Sequence, residues 1–135
     1  MNLVELLKQQ EGYRRHPYDC TEGFLTVAYG RNLDTNGISE REAEYLLKND
    51  IDNARSDLTN NLSFFWELSP TRKDALINMV FQLGLSGVIK FKMMLHHLKE
   101  KDFQSAAREA LDSKWAKQTP SRAEQIAKMI EHDTY

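Results

Sequence analysis

The chain has 135 residues, a mass of 15.7 kDa, 41% hydrophobic and 28% charged residues, and a formal net charge of −2. That composition suits one soluble globular domain with its own core and excludes an intrinsically disordered chain. The near-neutral balance gives no ground for nucleic acid or an anionic membrane as partner, although residues 1–68 hold 7 Lys+Arg against 12 Asp+Glu and residues 69–135 hold 11 against 8, so the second half is mildly basic.

Asn2 and Glu5 form a capping-box pattern that predicts a short helix with Leu3, Val4, Leu6 and Leu7 as its apolar positions, fading near Gly12. From Pro17 to Asp34 the β-formers Tyr18, Phe24, Leu25, Thr26, Val27 and Tyr29 alternate with turn formers, which predicts a small antiparallel sheet. Asp34-Thr35-Asn36-Gly37 is expected to be a turn. Ser39 and Glu42 make a second capping box, opening a helix of about five turns that ends at Asn60-Asn61. Ser69-Pro70 starts a further helix expected to stop near Gly84, and apolar stripes recur near 92–100, 103–111 and 120–131. No repeat or low-complexity tract interrupts the pattern. The fold class is therefore α+β: a small β-containing N-terminal lobe (12–60, including the connecting helix) and a larger helical lobe (1–11 and 61–135), within a single domain of 1–135.

A single cysteine, Cys20, excludes an intramolecular disulfide framework. The N-terminal stretch lacks a basic region followed by an apolar one, and no apolar run reaches membrane-spanning length. The expectation is synthesis in the cytosol, with no stable membrane insertion.

Chemistry concentrates in residues 11–30, EGYRRHPYDCTEGFLTVAYG. Glu11 falls at a helix end beside Gly12; eight residues separate it from Cys20, and five more separate Cys20 from Thr26. A carboxylate at a helix terminus, opposed to polar groups on a short sheet, suits glycoside hydrolysis, where one acid protonates the leaving oxygen and an opposed group handles water or the sugar cation.

This segment resembles the phage-type lysozymes of the T-even kind, glycoside hydrolase family 24. Their pattern is Glu, eight residues, Asp or Cys, five residues, Thr, within E-G-x-R-x-x-x-Y-x-D-T-E-G-x-x-T-x-G-x-G. Two further blocks, ALINMVFQLGLSGVIKF (75–91) and SKWAKQTPSRA (113–123), are similar to family segments in the same order. The resemblance implies a muramidase acting as an endolysin on the glycan strands of peptidoglycan, at the β-1,4 bond between N-acetylmuramic acid and N-acetylglucosamine. It implies Glu11 as general acid, Cys20 and Thr26 as the opposed catalytic groups with Thr26 helping to hold water or sugar, and inversion of the anomeric centre. It implies Arg122 as the arginine that pairs with the acid, and substrate contacts at Asn32, Phe81, Gln82, Met94 and Glu109. It implies no cofactor and no metal, a monomer, and access to the wall through a holin-type membrane lesion.

This sequence departs from the family in places. Cys20 stands where the best-known members have Asp, Arg31 where many have His, and Met94 and Glu109 where small or amide side chains are usual. The loop after Arg31 is short. Three other readings compete. A catalytically impaired, peptidoglycan-binding relative is favoured by Cys20. A metal site would use His16 and Cys20 with Asp19 and Glu11, but Pro17 argues against a helix that would align them. A helical adaptor would dock a partner on His96, His97, Met93, Met94 and Leu98, a stripe more often spent on core.

Overall fold

A computed structural model describes all residues from Met1 to Tyr135. The chain resolves into two compact units, Met1–Leu46 and Leu47–Tyr135. The fold is α+β, with one three-stranded antiparallel sheet and eight α-helices.

The first unit opens with α1 (Leu3–Glu11). Its capping box forms as expected: Glu5 N–H donates to Asn2 Oδ1 at 2.9 Å, and Asn2 N–H donates to Glu5 Oε2 at 3.0 Å. Gly12, at φ 71°, ends the helix and donates its N–H to Lys8 O at 3.0 Å. The sheet follows in the order β1 (Arg14–Asp19), β2 (Leu25–Ala28) and β3 (Arg31–Asn32). Tyr18 pairs with Thr26 and Arg14 with Ala28, so the register slips between them. Pro17 lies in that slip, and a residue without an N–H cannot complete a ladder there.

The expected turn at 34–37 proves to be the end of a one-turn helix, α2 (Leu33–Asn36). The Asn32 side chain caps it by accepting from Thr35 N–H at 3.0 Å, and Leu25 N–H donates to Asp34 Oδ2 at 2.6 Å, tying the helix to the sheet. The long helix α3 (Glu40–Asn61) has 22 residues, about six turns rather than five. Its Ser39–Glu42 capping box forms as expected.

The second unit holds the buried core. Ala54 and Leu58 from α3 join Phe65, Leu76, Met79, Val88, Met94, Leu98, Ile126 and Ile130. Each such large side chain, removed from water, is worth roughly 1.5–3 kcal/mol. After a 3-10 turn at Phe65–Glu67, α4 (Pro70–Ile89) starts on the Ser69 cap and Pro70. Gly84 (φ 74°, ψ 164°) breaks this helix without ending it. The chain resumes its helical path because Leu85, Val88 and Ile89 have a core to pack against. Helices α5 (Lys92–Lys99), α6 (Phe103–Leu111), α7 (Lys114–Gln118) and α8 (Pro120–His132) complete the unit, with α6 packed on α5 and α8. Arg72 closes the C-terminus of α8, donating to Ile130 O at 2.6 Å and Glu131 O at 3.1 Å while its guanidinium lies over the Phe103 ring. No single helix is long and apolar enough to cross a membrane.

Candidate active site

Within the first unit, Glu11 is the last residue of α1 and meets the turn between β2 and β3. A Cβ built on Gly30 would lie 2.7 Å from Glu11 Oε2, so the backbone of Gly30 forms the seat of that carboxylate. Only a residue without a side chain leaves room there, and Gly30 also holds φ 72°.

The same turn places Ala28 at φ 60°, a left-handed conformation, at a position where the quoted family pattern carries glycine. Arg31, next after Gly30 in the chain, is fixed by three hydrogen bonds to two partners. It donates to Glu42 through both Nη atoms, one at 3.0 Å, and to Gly37 O at 3.2 Å. Glu42 in turn accepts from Ser39 N–H at 3.0 Å. The Ser39 backbone N–H and then the Arg31 guanidinium hold its carboxyl below the usual carboxylate range.

Cys20 follows β1 in a tight turn, with its N–H donating to Phe24 O at 2.9 Å and its carbonyl accepting from Gly23 N–H at 2.8 Å. The backbone amides of Phe24 and Glu22 face the sulfur and lower the thiol below its ordinary range. Thr26 is buried, 4% exposed, and its hydroxyl donates to Phe24 O at 2.9 Å. One backbone oxygen thus receives both the Cys20 amide and the Thr26 hydroxyl, which ties the two residues to a single loop geometry. Asn32 pairs with Thr26 across the β2–β3 ladder; its Oδ1 is engaged in capping α2. The structure therefore places Thr26 and Asn32 on one small sheet and Cys20 in the turn that leaves its first strand. His16 lies in β1, not on a helix with Cys20.

The remaining expected site residues belong to the second unit. Phe81, on α4, is half exposed, so it is not plain core. Gln82 accepts from Trp115 Nε1 at 2.9 Å, and Trp115 meets Phe91 edge-to-face at 5.9 Å. Met94 and Glu109 come together in the wall of a cavity of about 310 Å³ that Phe91, Asp112 and Ser113 also line; Met94 itself is nearly fully buried. Arg122, in the first turn of α8, donates from Nε to Asn78 Oδ1 at 2.9 Å and from Nη2 to Asn78 O at 3.2 Å. Arg122, Asn78 and Phe81 line a second cavity of about 410 Å³, with Arg55, Asp74 and Tyr135.

Sequence reasoning missed Asn78, the residue that orients Arg122. A signal was present: Asn78 is the one amide inside the apolar run ALINMVF. It also missed Gly30 as the seat of Glu11 and Glu42 as the partner of Arg31.

Residues 8–131 match the family model described as "Phage lysozyme". The chain is 30% identical to "Probable T4-type lysozyme 1" of Dictyostelium discoideum over 162 aligned positions, covering 98% of this chain and 95% of that protein. It is 29% identical to "Endolysin" of Acyrthosiphon pisum secondary endosymbiont phage 1, covering 83% and 75%. It is also 28% identical to "Pre-baseplate central spike protein Gp5" of Enterobacteria phage T4, covering 96% of this chain but 28% of that longer protein. The alignment to the Dictyostelium protein is longer than this chain, so that relative carries residues omitted here.

Proposed function

The chain belongs to the phage lysozyme family and is a glycoside hydrolase whose substrate is peptidoglycan, and on that footing we propose that it cleaves the β-1,4 bond between N-acetylmuramic acid and N-acetylglucosamine, with Glu11 as general acid. The observation that carries this reading is the seating of the Glu11 carboxylate against Gly30, in a unit that also holds Cys20 and Thr26 at the family spacing.

In the proposed reaction, Glu11 gives its proton to the glycosidic oxygen as the bond to C1 breaks. A water molecule held near Thr26 adds to C1 from the opposite face, and its proton passes to the Cys20 thiolate. Solvent then restores both groups. The amides of Phe24 and Glu22, which lower the thiol, make the thiolate a larger fraction near neutral pH than an ordinary cysteine allows. Arg122, held by Asn78, is proposed as the charge partner of Glu11 in the working enzyme, and Asn32, Phe81, Gln82, Met94 and Glu109 as its saccharide contacts.

One catalytic domain of 1–135 is proposed; residues 47–135 alone, lacking Glu11, Cys20 and Thr26, should be inactive. The protein is proposed to act as a monomer on the wall of a host cell, after synthesis in the cytosol and release through a membrane lesion, causing lysis.

Release of reducing sugar from purified peptidoglycan tests the assignment, comparing the parent with Glu11→Gln and Cys20→Ser. The reading requires loss of activity in Glu11→Gln with folding retained, and β-to-α inversion in the products. Wall binding without any hydrolysis by the parent would overturn it and leave a non-catalytic binding relative.

A further inference from the structure

The two residues that flank the Glu11–Gly30 contact in the chain are tyrosines. Tyr13 lies just past Gly12, and Tyr29 just before Gly30. Their rings meet at 5.7 Å between centroids, tilted by 48°, and Lys8 Nζ lies 5.5 Å from the Tyr29 centroid. Tyr13 is 63% exposed and Tyr29 45%. Two exposed aromatic rings, fixed against each other beside a seated carboxylate, are an unusual use of apolar surface, because exposed aromatics ordinarily scatter singly.

We propose that Tyr13 is a saccharide-stacking platform, braced by Tyr29, that holds one sugar ring of the glycan strand next to Glu11. The inference rests on the muramidase reading for the identity of its ligand. The chemistry fits a pyranose ring, whose axial C–H bonds make an apolar face that packs on an aromatic ring. Lys8 engages Tyr29, and Tyr13 keeps most of its surface exposed, which leaves room for a sugar. The Lys8 ammonium adds a cation beside the platform, complementary to the carboxylates of the peptide carried on muramic acid. Tyr29 stops Tyr13 from rotating freely, so less side-chain entropy is lost on binding.

The test uses the full chain carrying Glu11→Gln, so that substrate persists. Its affinity for purified peptidoglycan sacculi and for chitin hexasaccharide is measured alone and with Tyr13→Ala or Tyr13→Phe added. Tyr13→Ala is expected to weaken both ligands about tenfold, and Tyr13→Phe, which keeps the ring, less than twofold. In the parent background, Tyr13→Ala should raise KM by the same factor and leave kcat within twofold. Lys8→Gln should weaken sacculi but not the uncharged hexasaccharide. Equal affinity in Tyr13→Ala and its parent, or equal losses in the Ala and Phe variants with thermal unfolding unchanged, would overturn the platform. So would a fall in kcat at constant KM. Hydrolysis persisting in Glu11→Gln would instead sink the acid assignment, and the binding comparison would still decide the platform.

Discussion

Gly30→Ala separates stability from catalysis at one atom. The substitution does two things. It places a side chain at φ 72°, which costs about 1–2 kcal/mol for an L-residue in the left-handed region. It also sets a methyl carbon 2.7 Å from Glu11 Oε2, where ordinary contact begins near 3.4 Å. The obstructing atom is the free end of a flexible side chain, so the carboxylate retreats and the backbone stays. That retreat is cheap for folding and costly for proton transfer: displacing a reacting group by about 1 Å can cost on the order of 100-fold in rate. Gly23→Ala is the control, with φ 82° and nothing within 4 Å of a new Cβ. Both variants should lose comparable stability, on the order of 1–2 kcal/mol by urea denaturation. Only Gly30→Ala should lose kcat/KM for reducing-sugar release by roughly two further orders of magnitude. Equal kcat/KM in the two variants would refute the claim that Gly30 seats the carboxylate proposed as the general acid.

Four other outcomes are expected. Ala28→Gly relieves a left-handed alanine and should raise stability by about 1 kcal/mol, read as a higher urea midpoint. Gln82→Leu strands the indole N–H of buried Trp115 and should cost about 1–3 kcal/mol, whether or not sugar binding also changes. Glu42 is held below its ordinary value of 4.5 in the folded chain, so its stabilisation is present above that value and is lost as pH falls through the lowered one. Thermal unfolding should therefore show an acid-side loss that Glu42→Gln removes. The Cys20 thiol, lowered from 9.0, should be alkylated by iodoacetamide with a pH midpoint below 9.0 in the native protein, returning to the ordinary range in urea.

Local signals in this sequence translated into structure faithfully. Both capping boxes formed, because each needs only residues three apart and a backbone that is already turning. The sheet was legible from its β-formers, and Pro17 correctly spoke against a helix at His16. Errors arose where a tertiary partner overrode a local signal. Gly84 reads as a stop, yet α4 resumes beyond it because Val88 and Ile89 reach the core. Helix α7 has only five residues, too few to show a period, and is held by the Ser113 cap and the burial of Trp115.

The candidate site shows the same division. Glu11, Cys20 and Thr26 are candidates because their order and spacing resemble a family pattern that runs along the chain. What holds them was not legible there. The seat of Glu11 depends on Gly30, 19 positions away, and Gly30 is recognisable only once β2 and β3 have folded back on α1. Arg122 finds Asn78 across a separation of 44 residues, and Arg31 finds Glu42 across 11. Arg31 is the instructive case, since by itself it looks like a loss of the histidine found in many relatives. With Glu42 engaged in both the cap of α3 and the guanidinium, the substitution becomes a clamp from the Gly30 turn to the start of the long helix. A residue that departs from its family pattern is therefore best read together with the partner its new chemistry demands, here a carboxylate already anchored by a helix cap.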